Sequence, residues 1–362
     1  MNFPTEYAEI LKRIDSVDPE KYGKTRNYLS GAVTYLSPYI SRGVISTKMV
    51  YDSLMDRGYV PLRIGKMVQE LAWRDYWQQV WIAKEDAINE DLKHPQPEVE
   101  NHAIPEAIIK AETGIEAIDK GIKDFCETGY LHNHLRMYIA SIACNIGKSH
   151  WKVPAKWMYY HLLDADWASN ALSWQWVAGS NANKKYVANQ ENINEYCYTD
   201  QKGTFLDIPY EDIPELAVPD VLADISNFEL TTALPEKKKI TIEKGRPTLI
   251  YNSYNLDPLW HEKEEVNRIL LLEPSHFSDY PISQKSLDFI LKLSQNIANI
   301  QLYIGEFDEL TQEYDLEKVI YKEHPLSNHY KGEQEPRDWI FNVKGYFGSF
   351  FAYWKKCKKE LK

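Results

Sequence analysis

The segment from residue 64 to residue 84, IGKMVQELAWRDYWQQVWIAK, carries apolar side chains at Ile64, Met67, Val68, Leu71, Ala72, Trp77, Val80 and Trp81. This spacing follows the roughly 3.6-residue period of an α-helix and predicts a long helix that is largely core. Glu70, Trp73 and Arg74 stand at i, i+3 and i+4, so one stripe of that helix carries all three. By themselves they read as an intrahelical ion pair beside a packed indole. Residues 1–60 read as short helices: Pro4 precedes an apolar run through Ile10, Leu11 and Ile14, and Asp18 with Pro19 breaks it. In KYGKTRNYLSGAVTYLSPYISRGVIS, Gly31 and Gly43 punctuate hydroxyl-rich segments, and Thr34 and Ser37 are expected as helix caps whose free N–H groups suit a phosphate. Residues 85–112, interrupted by Pro95, Pro97 and Pro105, read as a surface connection with a short helix.

After Tyr198 the texture changes. Residues 201–246, with Pro209, Pro214, Pro219, Pro235 and the EKKK run, read as a linker. Beyond them RPTLIYN, RILLLEP, an amphipathic stretch from Ser283 to Ile297, NIQLYIG and KVIYKE alternate strand and helix periods, the signature of an α/β domain with a small parallel sheet. The final DWIFNVKGYFGSFFAYWKKCKKELK reads as an amphipathic helix with a basic end that packs on a domain. The expected fold is mostly α: a helical domain over residues 1–200, a linker over 201–246, and a small α/β domain over 247–362.

Length and composition sharpen this. A chain of 362 residues can bury two cores, and 44% hydrophobic with 26% charged residues is a soluble globular composition. The first residues lack a basic stretch followed by an apolar run, and no window approaches about 18 apolar residues, so a cytoplasmic protein without a membrane partner is expected. Cys126, Cys144, Cys197 and Cys357 have no C-x-x-C spacing, and the ten histidines form no paired ligand pattern. No metal site is expected from them. The net charge of -11 argues against broad nucleic-acid affinity. Residues 1–200 are the less acidic part, with 22 Lys+Arg against 26 Asp+Glu, where the remainder has 20 against 27. Any DNA binding must therefore come from a focused patch and a pocket, and weaken steeply with salt.

The chemistry concentrates in residues 129–179, where five of the chain's eleven tryptophans (Trp151, Trp157, Trp167, Trp174, Trp176) interleave with Asn133, Arg136, Asp164, Asp166 and Asn170. Ordinary cores use Leu, Ile and Val, which leave no polar atom seeking a partner. Indoles with carboxylates and carboxamides suit a pocket that holds a flat ring on its faces and reads its edge. Trp-rich packing alone is the competing reading. The run G-Y-L-H-N-H-L-R-M, then Trp151, then D-A-D-W-A-S-N-A-L-S-W-Q-W resembles the flavin-binding helical domain of the DNA photolyase and cryptochrome family. Three submotifs in order over about 45 residues carry more weight than one short motif.

The resemblance implies bound FAD and assigns roles residue by residue. Tyr22, Thr34, Leu36 and Ser37 match the diphosphate-binding segment, from which Tyr35 and Val33 depart. In E-L-A-W-R, Glu70 matches the carboxyl group that hydrogen-bonds a damaged pyrimidine, Trp73 the indole that stacks on it, and Arg74 a flavin contact. Asn133 and Met137 match substrate-facing positions, and Asn133 also lies among the cofactor-binding positions. Arg136 with Asp164 resembles the pair flanking the isoalloxazine, Asp164 with Asp166 the D-x-D that bonds the ring and ribose, and Asn170 the residue facing flavin N5. Trp176 matches the second aromatic wall for a flipped base. Trp174 and Trp151 match the first two members of an electron relay whose third has no aromatic counterpart near Glu98. His134 replaces a common Arg, Met67 a common Trp, and Asp119 reads as structural.

On this resemblance the chain is expected to be a monomeric, light-dependent flavoenzyme that splits cyclobutane pyrimidine dimers flipped out of UV-damaged DNA, using reduced FAD. A cryptochrome-like photoreceptor without repair, (6-4) photoproduct repair and a flavin-free helical DNA-binding scaffold are the alternatives. The C-terminal segment faintly resembles the family's α/β antenna domain, which would place the two domains in reversed order. A second, antenna chromophore is left open.

Overall fold

The computed structural model describes residues 2–361. The chain opens with helices α1 (Tyr7–Asp15), α2 (Pro19–Thr25), α3 (Ser37–Ser41), α4 (Thr47–Asp56) and α5 (Gly65–Lys84). Helix α5 buries Met67, Val68, Leu71, Ala72, Trp77, Val80 and Trp81, the stripe set by its periodicity. Ser46 caps α4, its hydroxyl accepting from the Met49 N–H at 3.0 Å. A second run follows: α6 (Glu106–Lys110), α7 (Glu116–Thr128), α8 (Asn133–Ser141) with a π-helical turn over Ile142–Ile146, α9 (Lys152–His161), α10 (Trp167–Ala178) and α11 (Gln190–Cys197). Strands β1 (Ile104–Pro105) and β2 (Ile225–Ser226) pair antiparallel.

The remainder is α/β. Strands β3 (Thr248–Tyr251), β4 (Asn267–Leu272), β5 (Ile300–Ile304), β6 (Val319–Lys322) and β7 (Glu333–Glu335) alternate with α12 (Pro274–Asp279), α13 (Gln284–Ser294) and α14 (Phe307–Glu313), and the chain ends with α15 (Phe350–Cys357). The sheet has the order β5-β4-β3-β6-β7, and every pairing is parallel. Every residue of β4 is buried, as expected for a strand covered on both faces. One face packs Ile250, Ile269, Leu271, Phe307, Leu310 and Tyr330.

The fold class is thus the expected one, helices and a small parallel sheet, but the chain divides differently from the expected linear order. One compact unit joins residues up to 20 and residues 34–83 to everything from residue 231 on; the other comprises residues 21–33 and 84–230. Helices α3 to α5 therefore belong with the sheet. The stretch expected as a linker is shared out as well: Ile225 and Ser226 pair with β1 in one unit, while Ile240 enters the sheet core of the other. Composition reports that such a stretch is Pro-spaced and extended, but not which backbone groups and apolar side chains it lends to its neighbours.

Within the unit of residues 84–230, α10 is apolar nearly all round and buries Trp167, Ala168, Asn170, Ala171, Leu172, Trp174, Val177 and Ala178. Its start is fixed by Asp166, whose carboxylate accepts from the Ser169 N–H at 3.0 Å. It ends at Gly179, whose φ of +89° suits a residue without a Cβ. Before α7, Asp119 accepts from the N–H and hydroxyl of Thr113 at 2.8 and 2.7 Å and from the Gly114 N–H at 3.0 Å, the structural role its position implied.

Candidate functional site

In the unit of residues 84–230, α8, α10 and the loop before α10 bring several expected site residues into defined positions. Asp164 is only 5% exposed, and Arg136 grips it with both terminal nitrogens, at 2.9 and 3.4 Å. The Arg136 Nε–H donates to the Leu131 carbonyl at 2.9 Å, so the guanidinium is fixed on two sides. Asp166 is buried at the N-terminus of α10, and Asn170, one turn later, is buried with its amide nitrogen donating to the Ala155 carbonyl at 2.8 Å. Asn133 lies exposed on the first turn of α8, its amide nitrogen 3.7 Å from the sulfur of half-buried Met137. Trp176 is 39% exposed, its ring 5.9 Å from that of Tyr186. Tyr22 is half-buried.

His134 stands where a cation is common in the family. Its Nδ1 meets the Asn27 carbonyl and its ring lies parallel to that of Tyr138. Burial pushes its pKa below the ordinary histidine value, so this position is neutral at pH 7.

The residues expected to form an electron relay are equally well defined. Trp174 is buried, and Trp151 is fully enclosed with its indole N–H donating to Asp91 Oδ1 at 2.9 Å. The Trp167 ring lies 6.4 Å from that of Trp151. Glu98, at the place of the expected third member, binds Lys148 and Lys185 at 2.7 Å each. The hydrogen bonds from these two ammonium groups pull its pKa down to about 2, so the position is an ion-pair node.

In the other unit, Glu70, Trp73 and Arg74 lie half-buried on α5, and Met67 is 3% exposed. The Trp73 indole is covered on one face by Phe350 of α15, with ring centroids 3.6 Å apart and planes at 10°. The segment leading to α15 is tied to the same helix. Asp75 accepts from the Ile340 N–H at 2.9 Å, Gln79 from the Gly345 N–H at 2.9 Å, and the Tyr76 hydroxyl donates to the Phe347 carbonyl at 3.0 Å. Arg74 borders a cavity of about 100 Å³ at the carboxyl ends of β3 and β6, together with Asp75, Asn255, His324 and Arg337. The expectation that Thr34 and Ser37 cap a helix is not met: the N-cap of α3 is Leu36, without a side-chain cap, and Ser37 is its first residue. Thr34 instead accepts from the Leu36 N–H at 3.4 Å, a local turn that competes with capping. Leu36 is buried, and Tyr35, at φ +54°, packs edge-on against Phe3. Neither Phe350 nor Asp91 was singled out from the sequence. Phe350 lay within an amphipathic pattern that names no partner, and Asp91 within a charged loop.

Residues 67–252, just over half the chain, match the family described as the FAD binding domain of DNA photolyase. The chain belongs to the DNA photolyase and cryptochrome family. Relatives named deoxyribodipyrimidine photo-lyase include that of Halobacterium salinarum, 25% identical over 257 residues, or 68% of this chain and 52% of that protein. That of Alkalihalophilus pseudofirmus is 27% identical over 190 residues, covering 51% of this chain and 39% of the relative. The chain therefore spans between about two fifths and one half of these photolyases' length. Among solved structures, a Synechocystis cryptochrome aligns with 54% of this chain and 44% of its own at 21% identity and a TM-score of 0.47. A class III photolyase from Agrobacterium tumefaciens aligns with 58% and 54% at 20% identity and a TM-score of 0.44. The donor set fits the flavin of this photolyase-type domain: two buried carboxylates, one clamped by a guanidinium, suit a molecule whose ring imide and ribityl chain present N–H and O–H donors.

Proposed function

We propose that the chain is a light-dependent DNA repair flavoenzyme that splits cyclobutane pyrimidine dimers. The observation that carries the reading is buried Asp164, paired with half-buried Arg136, in the same unit as buried Asp166 and Asn170, within a matched FAD-binding domain. When bound, reduced FAD supplies the light absorption and the single electron that open the cyclobutane ring. The chain's own groups do the rest. Asp164, Asp166 and Arg136 would hold the ring and ribose, Asn170 would face N5, and Tyr22, Thr34, Leu36, Ser37, Arg74 and Asn133 would complete cofactor binding. Glu70 would donate or accept at the base edge, with Trp73, Trp176, Asn133 and Met137 as walls. A carboxyl group in a partly dry pocket can stabilise charge that develops on a bound base. Flipping costs least at damaged, poorly stacked steps, so lesion selectivity needs no sequence reading, which suits an acidic chain.

Two observations favour photoreception without repair as the second reading: neutral His134 where a cation is common, and Phe350 over one face of Trp73. Incubating chemically reduced protein with dimer-containing oligonucleotides, illuminated and dark, separates the two. Light-dependent recovery of intact thymine is expected, with Glu70→Ala keeping its flavin spectrum but losing repair. A flavin spectrum without any repair would assign a photoreceptor.

A further inference from the structure

The family relay leaves an oxidised tryptophan behind each time the flavin is photoreduced, and in this chain the third relay position is an ion-pair node. The fate of the hole is therefore set locally, at Trp151. Asp91 Oδ1 accepts its indole N–H at 2.9 Å, and Asp91 Oδ2 accepts from the Gln96 N–H at 2.8 Å. The Gln96 side chain in turn accepts from the Trp151 backbone N–H at 2.8 Å and donates to the Ser149 carbonyl at 2.8 Å. Carboxylate and indole are thus two sides of one closed hydrogen-bonded ring. His150 adds a third contact, its Nε2 at 3.4 Å from Asp91 Oδ1. His150 Nδ1 accepts from the Lys152 N–H at 3.3 Å, which leaves the ring proton on Nε2, facing Asp91. Burial lowers the His150 pKa, so the ring is neutral, and it stacks at 4.9 Å on the exposed His102.

The neighbouring indole makes the contrast. Trp167, 6.4 Å from Trp151, donates its N–H to the carboxamide oxygen of Asn89 at 2.7 Å. A carboxamide orients an indole but takes no proton from it, whereas a carboxylate can do both.

We propose that Asp91 is the proton acceptor that traps the photochemical hole on Trp151. This rests on the reading of the chain as a photoreducible flavoprotein. With FAD bound, the photoexcited oxidised flavin would supply the oxidant, and Trp151 would give up one electron to it, with Trp174 the intermediate that the family resemblance implies. The indole cation is far more acidic than the neutral indole, so its N–H bond breaks heterolytically and the proton passes to Asp91 Oδ1. A neutral indolyl radical and a carboxylic acid result. Loss of the proton removes the driving force for the electron to return, so a two-member relay suffices.

Flash photolysis of the flavin-loaded wild-type protein should yield a deprotonated tryptophanyl radical, formed more slowly in D2O than in H2O. Asp91→Asn can keep its oxygen on the indole N–H and offers no base, at the loss of one hydrogen bond, because its amide nitrogen then faces the Gln96 N–H. It should show only the protonated radical cation, and its steady photoreduction should slow by roughly a hundredfold, the lower end of what a positioned base contributes. In flavin-free protein the Trp151 indole N–H proton resonance should move in this variant while thermal unfolding stays cooperative, its midpoint lowered only by the lost Gln96 bond, which separates loss of a base from loss of the fold. The solvent isotope effect in wild type needs no variant at all. An unchanged neutral radical in Asp91→Asn, or a wild-type radical that stays protonated until it decays, would overturn the assignment while leaving the flavoprotein reading intact. A protein that takes up no flavin would sink that reading and the inference with it.

Discussion

Asp75 sits inside the apolar run of α5, fully enclosed, and its carboxylate is held by the Thr47 hydroxyl at 2.8 Å and the Ile340 N–H at 2.9 Å. Burial raises its pKa from 3.8 to about 6, against the opposing pull of those hydrogen bonds and of Arg74 and Arg337. Between 3.8 and about 6 the folded protein therefore binds more protons at this site than the unfolded chain does. Stability contributed here is full at the acidic end and falls as pH rises through that window, by up to about 3 kcal/mol. Asp75→Asn can keep both bonds, because the Thr47 hydroxyl can accept as well as donate. The variant should lose this pH dependence and gain stability at neutral pH, as read by denaturant unfolding from about pH 4 to about pH 7. An identical slope in the variant would place the titration elsewhere. Nothing in the sequence marks this site, since the Ile340 N–H lies 265 residues away along the chain. The Arg136–Asp164 pair, in contrast, was legible, because its motif keeps the two residues in a recognisable order.

Elements were legible wherever a period spoke for itself. Helix α5, the β3 to β6 strands and the amphipathic α13 follow from spacing, and the structure adds that Ser283 caps α13. Capping failed at α3 because Ser and Thr crowd that stretch, and abundance of hydroxyls does not choose among competing local turns. Helix α15 was legible as a packed amphipathic helix, but its partner was not. Phe350 is 3% exposed on the Trp73 face, with Tyr353 and Trp354 buried behind it, while Phe351 is 68% exposed. Truncating a buried aromatic that fills a flat contact removes both its transfer energy and its packing. Phe350→Ala should therefore cost about 3 kcal/mol, at the low end for such changes because the site lies at a helix end. The check is a lowered denaturant midpoint at unchanged slope, with altered tryptophan fluorescence. A loss below about 1 kcal/mol would mean that the stack is incidental to the seating of α15.

At the scale of the whole chain, order in sequence and membership in a compact unit part company. A linear reading puts α1 to α5 with the flavin-binding helices, since the family resemblance starts at Tyr22 and runs on through Thr34, Ser37, Glu70 and Arg74. The hydrogen bonds tie α3 and α5 to the C-terminal α/β segment instead. The Arg42 carbonyl accepts from the Leu256 N–H at 2.9 Å, the Arg42 guanidinium donates to the Ser253 carbonyl at 3.4 Å, and Gln78 accepts from Arg337 at 2.6 Å. Gly43, at φ +63°, lies so close to the Tyr254 carbonyl that a Cβ would sit 2.3 Å from its oxygen. Removing residues 231–362 would exchange these three hydrogen bonds for water, at roughly 1 kcal/mol each, and would uncover the apolar surface that α3 and α5 bury against the sheet. Together with the apolar surface uncovered, that is a large share of the margin of a typical domain. A chain ending at residue 230 should therefore lose more helical circular dichroism than its shorter length explains, because α3 to α5 unravel with the missing sheet. Supplying residues 231–362 as a separate polypeptide should restore it. Cooperative unfolding and full helicity in the shortened chain would show instead that the helices stand without the sheet, and that the linear division into a helical and an α/β domain describes folding after all.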